Sequence, residues 1–210
     1  MFSFFKKQPS KPTYEESVWI EQSHKYQGLI EDVTAAGQGG ETTLIFAHFA
    51  QTVAEVVAAL SSAKIGFQAY TMTDRPTDLM TAKVLVVQAD ILQAPALYAL
   101  KPLVARGTVR FALADHYPLL SKDLALLETL FTLAPAVKPM FYTSLEDETL
   151  KRFISGDLKQ MLEKLGMKPD ERINHSLVNR SIANAQEKIE KTAHGDRPAR
   201  SAEEWMTMNL

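Results

Sequence analysis

Continuous apolar runs alternate with helix-period stretches along the first three-quarters of the chain. Residues 42–46 (TTLIF), 83–88 (KVLVVQ), 108–114 (TVRFALA) and 139–143 (PMFYT) are apolar at nearly every position. That pattern predicts strands buried on both faces, because a strand with one wet face alternates apolar and polar. Residues 67–72 read as a further, weaker strand. Between the runs, Val53, Val56, Val57 and Leu60 recur at helical spacing, with Thr52-x-x-Glu55 as a capping box. Helices are also expected at 74–80, with Pro76 in its first turn, at 94–104, from Ser121 to 131, and from Ser144-x-x-Asp147 to 154. Upstream, Thr13-x-x-Glu16 predicts a long helix that places Val18, Tyr26, Leu29, Ile30 and Val33 mostly on one face. The run Gly37-Gln-Gly-Gly40 stops it. Strands separated by helices need crossover connections, so neighbouring strands are expected to be parallel. The expected fold class is α/β, a three-layer doubly wound and mostly parallel sheet.

After residue 155 the pattern is helical only. A helix over 157–165 ends at Gly166, with Pro169 beyond it. Asn174 can cap a second helix, in which Val178, Ile182, Ala185 and Ile189 repeat at steps of 4, 3 and 4. Gly195 and Pro198 stop that helix, and Ser201-x-x-Glu204 opens a last short one carrying Trp205, Met206 and Met208. The expected organisation is a tail over 1–12, an α/β domain over 13–155 and a helical extension over 156–210.

Composition narrows the function classes. The 23 Lys and Arg against 25 Asp and Glu leave a net charge of −2, so no strongly basic nucleic-acid footprint is present. The mildly basic group Lys159, Lys164, Lys168 and Arg172 is interleaved with Glu163, Asp170 and Glu171 and reads as a solvated face. With no Cys in 210 residues, disulfides, thiolate metal sites and a Cys nucleophile are excluded. No window approaches the ~20 apolar residues of a membrane span. The start MFSFFKK offers at most a peripheral lipid contact. The expectation is a cytoplasmic chain, at most peripheral at the inner membrane face.

A family resemblance sits in the last third. Phe141-Tyr-Thr-Ser-Leu-Glu-Asp147, Leu150-Lys-Arg-Phe153, the run Met161-Leu-Glu-Lys-Leu-Gly-Met-Lys-Pro169, Ile173-x-His175, Val178 and Ile182-Ala-Asn-Ala-Gln-Glu-Lys-Ile189 follow one another in order. Together they resemble the SecA preprotein translocase ATPases. More weakly, Lys25, Ile30-Glu-Asp32, Leu44-Ile-Phe46 and 55–60 follow the layout of that motor's second nucleotide-binding lobe. The resemblance covers 13–192 and implies a RecA-like domain of the helicase C-terminal type, within the P-loop NTPase fold.

The chemistry of such a motor is missing from the sequence. No G-x-x-x-x-G-K-[ST] loop is present to cradle phosphates. Where the family carries a Gly-rich T-N-M-A-G-R-G-T-D after a strand, this chain reads Gln88-Ala-Asp-Ile-Leu-Gln-Ala-Pro-Ala96. Where the family carries arginines that reach the γ-phosphate, residues 121–135 contain none, and Leu124, Leu127, Leu130 and Phe131 make an apolar helix face. An arginine finger is worth ~10³–10⁵ in rate, or about 4–7 kcal/mol.

The expectation is therefore a degenerate, non-enzymatic lobe that binds a protein, either a translocation component or another copy of itself. It has no catalytic residue, no metal, no cofactor and no nucleic-acid partner. Asp90 and Arg110 are the relics of a nucleotide site, and His48, Asp115 and His116 the candidates for a rim site at strand ends. The seam Val178, Ile182, Ala185 and Ile189 is the candidate interaction surface. The alternative is a split motor half that completes an ATP site in trans, with Arg106 or Arg110 aimed at the phosphates.

Overall fold

The computed structural model describes residues 13–70, 74–152, 166–168, 170–174 and 176–210. Six strands form one parallel sheet: β1 (Glu15–Trp19), β2 (Thr42–Ala47), β3 (Gln68–Ala69), β4 (Val84–Gln88), β5 (Val109–Leu113) and β6 (Met140–Ser144). Their order across the sheet is β1-β6-β5-β2-β4-β3. The helices are α1 (Gln22–Gln38), α2 (Ala50–Ser62), α3 (Pro76–Leu79), α4 (Ala94–Ala105), α5 (Leu120–Leu133), α6 (Glu148–Lys151), α7 (Ser176–Thr192) and α8 (Ala202–Asn209). The α/β doubly wound class read from the apolar runs is the observed one.

The pleat sorts side chains onto the two faces. Leu44, Phe46, Leu85, Val87, Phe111, Leu113 and Phe141 pack under α3, α4 and α5. Ile45, Ala47, Val84, Val86, Ala112 and Tyr142 pack under α1 and α2. Burial on both faces accounts for the continuous apolar runs.

The segment after Thr13 differs from expectation. In place of a capped helix, residues 15–19 form an edge strand paired in register with β6, and α1 begins only at Gln22. Residues 16 to 20 are all buried, polar Glu16 and Ser17 included. Such a run has no wet side, so its apolar positions do not report a helical period. Helix α1 does end at the glycine run, with Gly40 at φ +78°, a left-handed turn that favours glycine. Several caps also shift. Helix α2 starts at Ala50, ahead of Thr52, α5 starts at Leu120, and Asp147 itself precedes α6. Ser201 does cap α8, accepting from the Glu204 backbone N–H. The expected tail over 1–12, the helix over 157–165, and Pro169 and His175 lie outside the described residues.

The C-terminal helices pack back on the α/β part. Val178, Ile182 and Ala185 of α7 join Val18, Ile20, Leu145, Leu150 and Ile173, where Ile173 bridges Val18 through paired backbone hydrogen bonds. Farther along, Ile189 meets Phe49, Trp205 and Met206.

Candidate functional site

After β2 the chain enters α2 on one face of the sheet, and after β5 it enters α5 on the other. Adjacent strands whose connections diverge in this way open a crevice at their carboxyl ends, where α/β proteins hold ligands. His48 and Phe49 follow β2, and Asp115 and His116 follow β5, so three of the candidates named from the sequence converge there.

The anion position of this crevice is taken by the chain itself. Asp115 accepts from the His48 backbone N–H through Oδ1 (2.7 Å) and from the Phe49 N–H through Oδ2 (3.3 Å). These amides lead into α2. An uncapped helix start offers such N–H groups to phosphate; here a carboxylate satisfies them. Asp115 was predicted from its place after a strand, but its role is that of a cap across the sheet.

His116 sits 6% exposed at the centre of a polar cluster. Its Nδ1 lies 2.6 Å from Asp123 Oδ2 and its Nε2 lies 3.0 Å from Glu16 Oε1. Its ring stacks on Phe141 at 4.0 Å. Glu16 Oε1 also accepts from the Thr143 hydroxyl at 2.6 Å. Asp123 accepts from the Tyr117 backbone N–H at 2.9 Å and from Gln186 Nε2 at 2.6 Å. His48 Nε2 stands 2.9 Å from Asp123 Oδ1, near enough for an ion pair but not aligned as a hydrogen bond. Burial alone would drive the His116 pKa down; the flanking Glu16 and Asp123 carboxylates reverse this and raise it to about 10. His48 is raised in the same sense, since Asp123 and Asp115 outweigh the cost of burying it. Burial would raise Asp123, but the two imidazoles hold its carboxyl well below the usual carboxylate range. At neutral pH His116 is thus an imidazolium clamped between two carboxylates, with both ring nitrogens donating. A catalytic base needs a free lone pair, and this ring has none.

A second buried pair lies alongside. Lys25, on α1, places Nζ 2.8 Å and 3.1 Å from the two Asp147 oxygens, and Asp147 accepts from the Ser144 N–H as well. Beside it a cavity of about 150 Å³ is lined by Gln22, Lys25, Glu55, Asp115, His116, Glu146, Asp147, Glu148 and Glu203, among others. Six carboxylates there face two cations, each already paired with a carboxylate. That balance repels a triphosphate.

The segment leading into α8 borders this crevice. Ser201, Ala202 and Glu203 line the cavity. The Gln51 backbone N–H donates to the Arg200 carbonyl at 3.0 Å. Trp205 is fully buried, and its indole N–H donates to Asp196 Oδ1 at 2.8 Å; Lys122 pairs with the other Asp196 oxygen at 2.7 Å.

The remaining candidates fare differently. Asp90 lies just past β4, exposed, on the wall of a separate cleft with His48, Tyr117 and Lys122. Arg110 lies near the start of β5, at the opposite end of the sheet, and pairs with Glu41 at 3.3 Å. Asp90 and Arg110 therefore do not form one nucleotide site. Arg106, at the end of α4 ahead of β5, is likewise remote from the crevice. The seam is corrected outright as an interaction surface. Val178, Ile182, Ala185 and Ile189 are 0%, 2%, 1% and 0% exposed, because the chain's own β1, α6, α8 and residues around Ile173 cover them. Among the described residues no group of three or more His, Asp or Glu is arranged to hold a metal ion.

Sequence reasoning missed Glu16, Asp123 and Gln186. A weak signal existed for two of them: Asp123 falls on the buried side of a leucine-rich helix, and Gln186 adjoins the seam residue Ala185.

Comparison with known proteins adds the lineage. No family profile matches the chain. The protein translocase subunit SecA of Legionella pneumophila strain Corby is 27% identical over 212 residues, covering 82% of this chain and 23% of that protein. The SecA of Desulfotalea psychrophila is 50% identical over 50 residues, 24% of this chain and 6% of that protein. That of Ehrlichia chaffeensis is 52% identical over a 50-residue stretch. The chain is thus similar to SecA over most of its length. It spans less than a quarter of the length of the SecA proteins it matches. Among solved structures, the C-terminal part of the Fun30 ATPase domain is similar with a TM-score of 0.44 and 11% identity, covering 78% of this chain and 54% of that one. Among the described residues no helix is long and apolar enough to cross a membrane.

Proposed function

We propose that this SecA-like chain is a non-catalytic motor-lobe homologue that works as a protein-interaction module in preprotein translocation, on the cytoplasmic side. The observation that carries the reading is the occupied crevice. Asp115 stands on the α2 amides where an anion would bind, carboxylates line the cavity, and Ser201, Ala202 and Glu203 border it. The absence of the Gly-rich loop and of arginines over 121–135 supports the same conclusion from the sequence. The split-motor alternative loses its candidates, since Arg110 is engaged by Glu41 at the amino end of the sheet. A fold kept intact while its chemistry is lost is expected to serve through its surface, and the SecA proteins are subunits of a translocase. Calorimetric titration of the purified chain with MgATP tests the reading. No binding heat at millimolar nucleotide is expected; saturable binding accompanied by turnover would overturn it.

A further inference from the structure

Three of the four large apolar side chains that stand exposed among the described residues share one face. Tyr98 of α4 is 75% exposed, and Leu124 and Phe131 of α5 are 37% and 49% exposed. Both helices cover the same side of the sheet and touch each other. Leu124 and Phe131 are seven residues apart, two helical turns, so they lie in one stripe about 10 Å long, with exposed Glu128 between them. Phe131 also borders a groove of about 90 Å³ that it shares with Leu127, Pro135 and Pro139.

Thr13 lines the same groove, together with Ala136, Val137 and Lys138. The chain therefore enters the described fold beside Phe131, and the residues ahead of it read MFSFFKKQPSKP. Phe2, Phe4 and Phe5 put three aromatic residues within four positions, and Lys6 and Lys7 follow them. Seven residues lie between Phe5 and Thr13. Extended, the eight steps from Phe5 to Thr13 reach about 26–29 Å, well beyond the length of the stripe. Apolar residues at the two ends of a short tether have a high effective concentration for each other, and covering Tyr98, Leu124 and Phe131 removes them from water.

We propose that the N-terminal segment Phe2–Phe5 docks on the α4–α5 face of its own chain, with Lys6 or Lys7 opposite Glu128. This inference is independent of the state of the crevice. The lack of cysteine in the sequence makes disulfide mapping clean. The full chain carrying Phe4→Cys with Glu128→Cys is oxidised and compared with Phe4→Cys with Ala35→Cys, where Ala35 is exposed on α1 across the sheet. The expected result is an intramolecular disulfide in the first pair, at least about tenfold faster than in the second, and slowed when Leu124→Ser and Phe131→Ser are added. These are exposed positions, so the fold tolerates the change. Equal rates in the two pairs would overturn the proposal. Disulfide-linked dimers as the main product would also overturn it, assigning the face to a second copy.

Discussion

Replacing Asp123 by Asn keeps the shape of the side chain and removes the anion on which the buried cluster turns. His116 would keep Glu16 on one ring nitrogen and lose its charge partner on the other, while His48 and Gln186 lose a carboxylate each. Removing one partner from a buried ion pair costs about 3–5 kcal/mol, because the remaining charge stays desolvated. For a chain of this size that is a fall in Tm of roughly 6–20 °C. The pH profile separates charge from packing. The folded His116 holds its proton to about pH 10, whereas an unfolded histidine releases it near 6.5. Stabilisation from this group is therefore complete below about 6.5 and declines as pH rises toward 10, by up to about 1.4 kcal/mol per unit. Asp123 works in the opposite sense, since its depressed pKa gives stability that is present above about 4 and lost in acid. Urea melts of the wild type between pH 6 and 10 are expected to show the alkaline decline, and D123N a flatter one from a lower starting point. If D123N unfolds within 1 kcal/mol of wild type with an unchanged slope, the clamped imidazolium is wrong.

Two further substitutions probe the frame around the crevice. Trp205→Ala removes the buried anchor of the C-terminal segment from Phe49, Tyr117 and Asp196, so chemical denaturation is expected to register a loss of about 3–5 kcal/mol, and a loss below 1 kcal/mol would show that the segment is not held by it. Gly28→Ala sets a methyl against the Trp19 indole, which is itself stacked on Tyr142; overpacking of this kind costs about 1–3 kcal/mol, and a Tm equal to wild type would show that the α1–β1 contact is looser than described.

The strands at 42–47, 84–88, 109–113 and 140–144 were legible because burial on both faces writes an apolar residue at nearly every position. β1 was not, since it carries Glu16 and Ser17 at buried positions. A carboxylate is admissible there only because an imidazolium 100 residues away meets it, and no local pattern records that meeting. The same reasoning divides the site. His48, Asp115 and His116 were found by asking which polar residues follow strands, a rule about topology. Asp123 and Gln186 join them only when α5 and α7 close over the sheet. The seam on α7 was legible as apolar, but what covers it depends on Val18, Leu150 and Trp205 arriving from three other elements.

The central claim is that the chain's own groups fill the place where a motor lobe would hold nucleotide. It is tested most directly by following the backbone amides of His48 and Phe49 and the indole N–H of Trp205 by nuclear magnetic resonance during addition of MgATP. All three are hydrogen-bonded within the chain, so the account predicts slow hydrogen exchange and signals that stay in place up to millimolar nucleotide. Saturable movement of the His48 and Phe49 signals, together with release of the Trp205 indole, would contradict it.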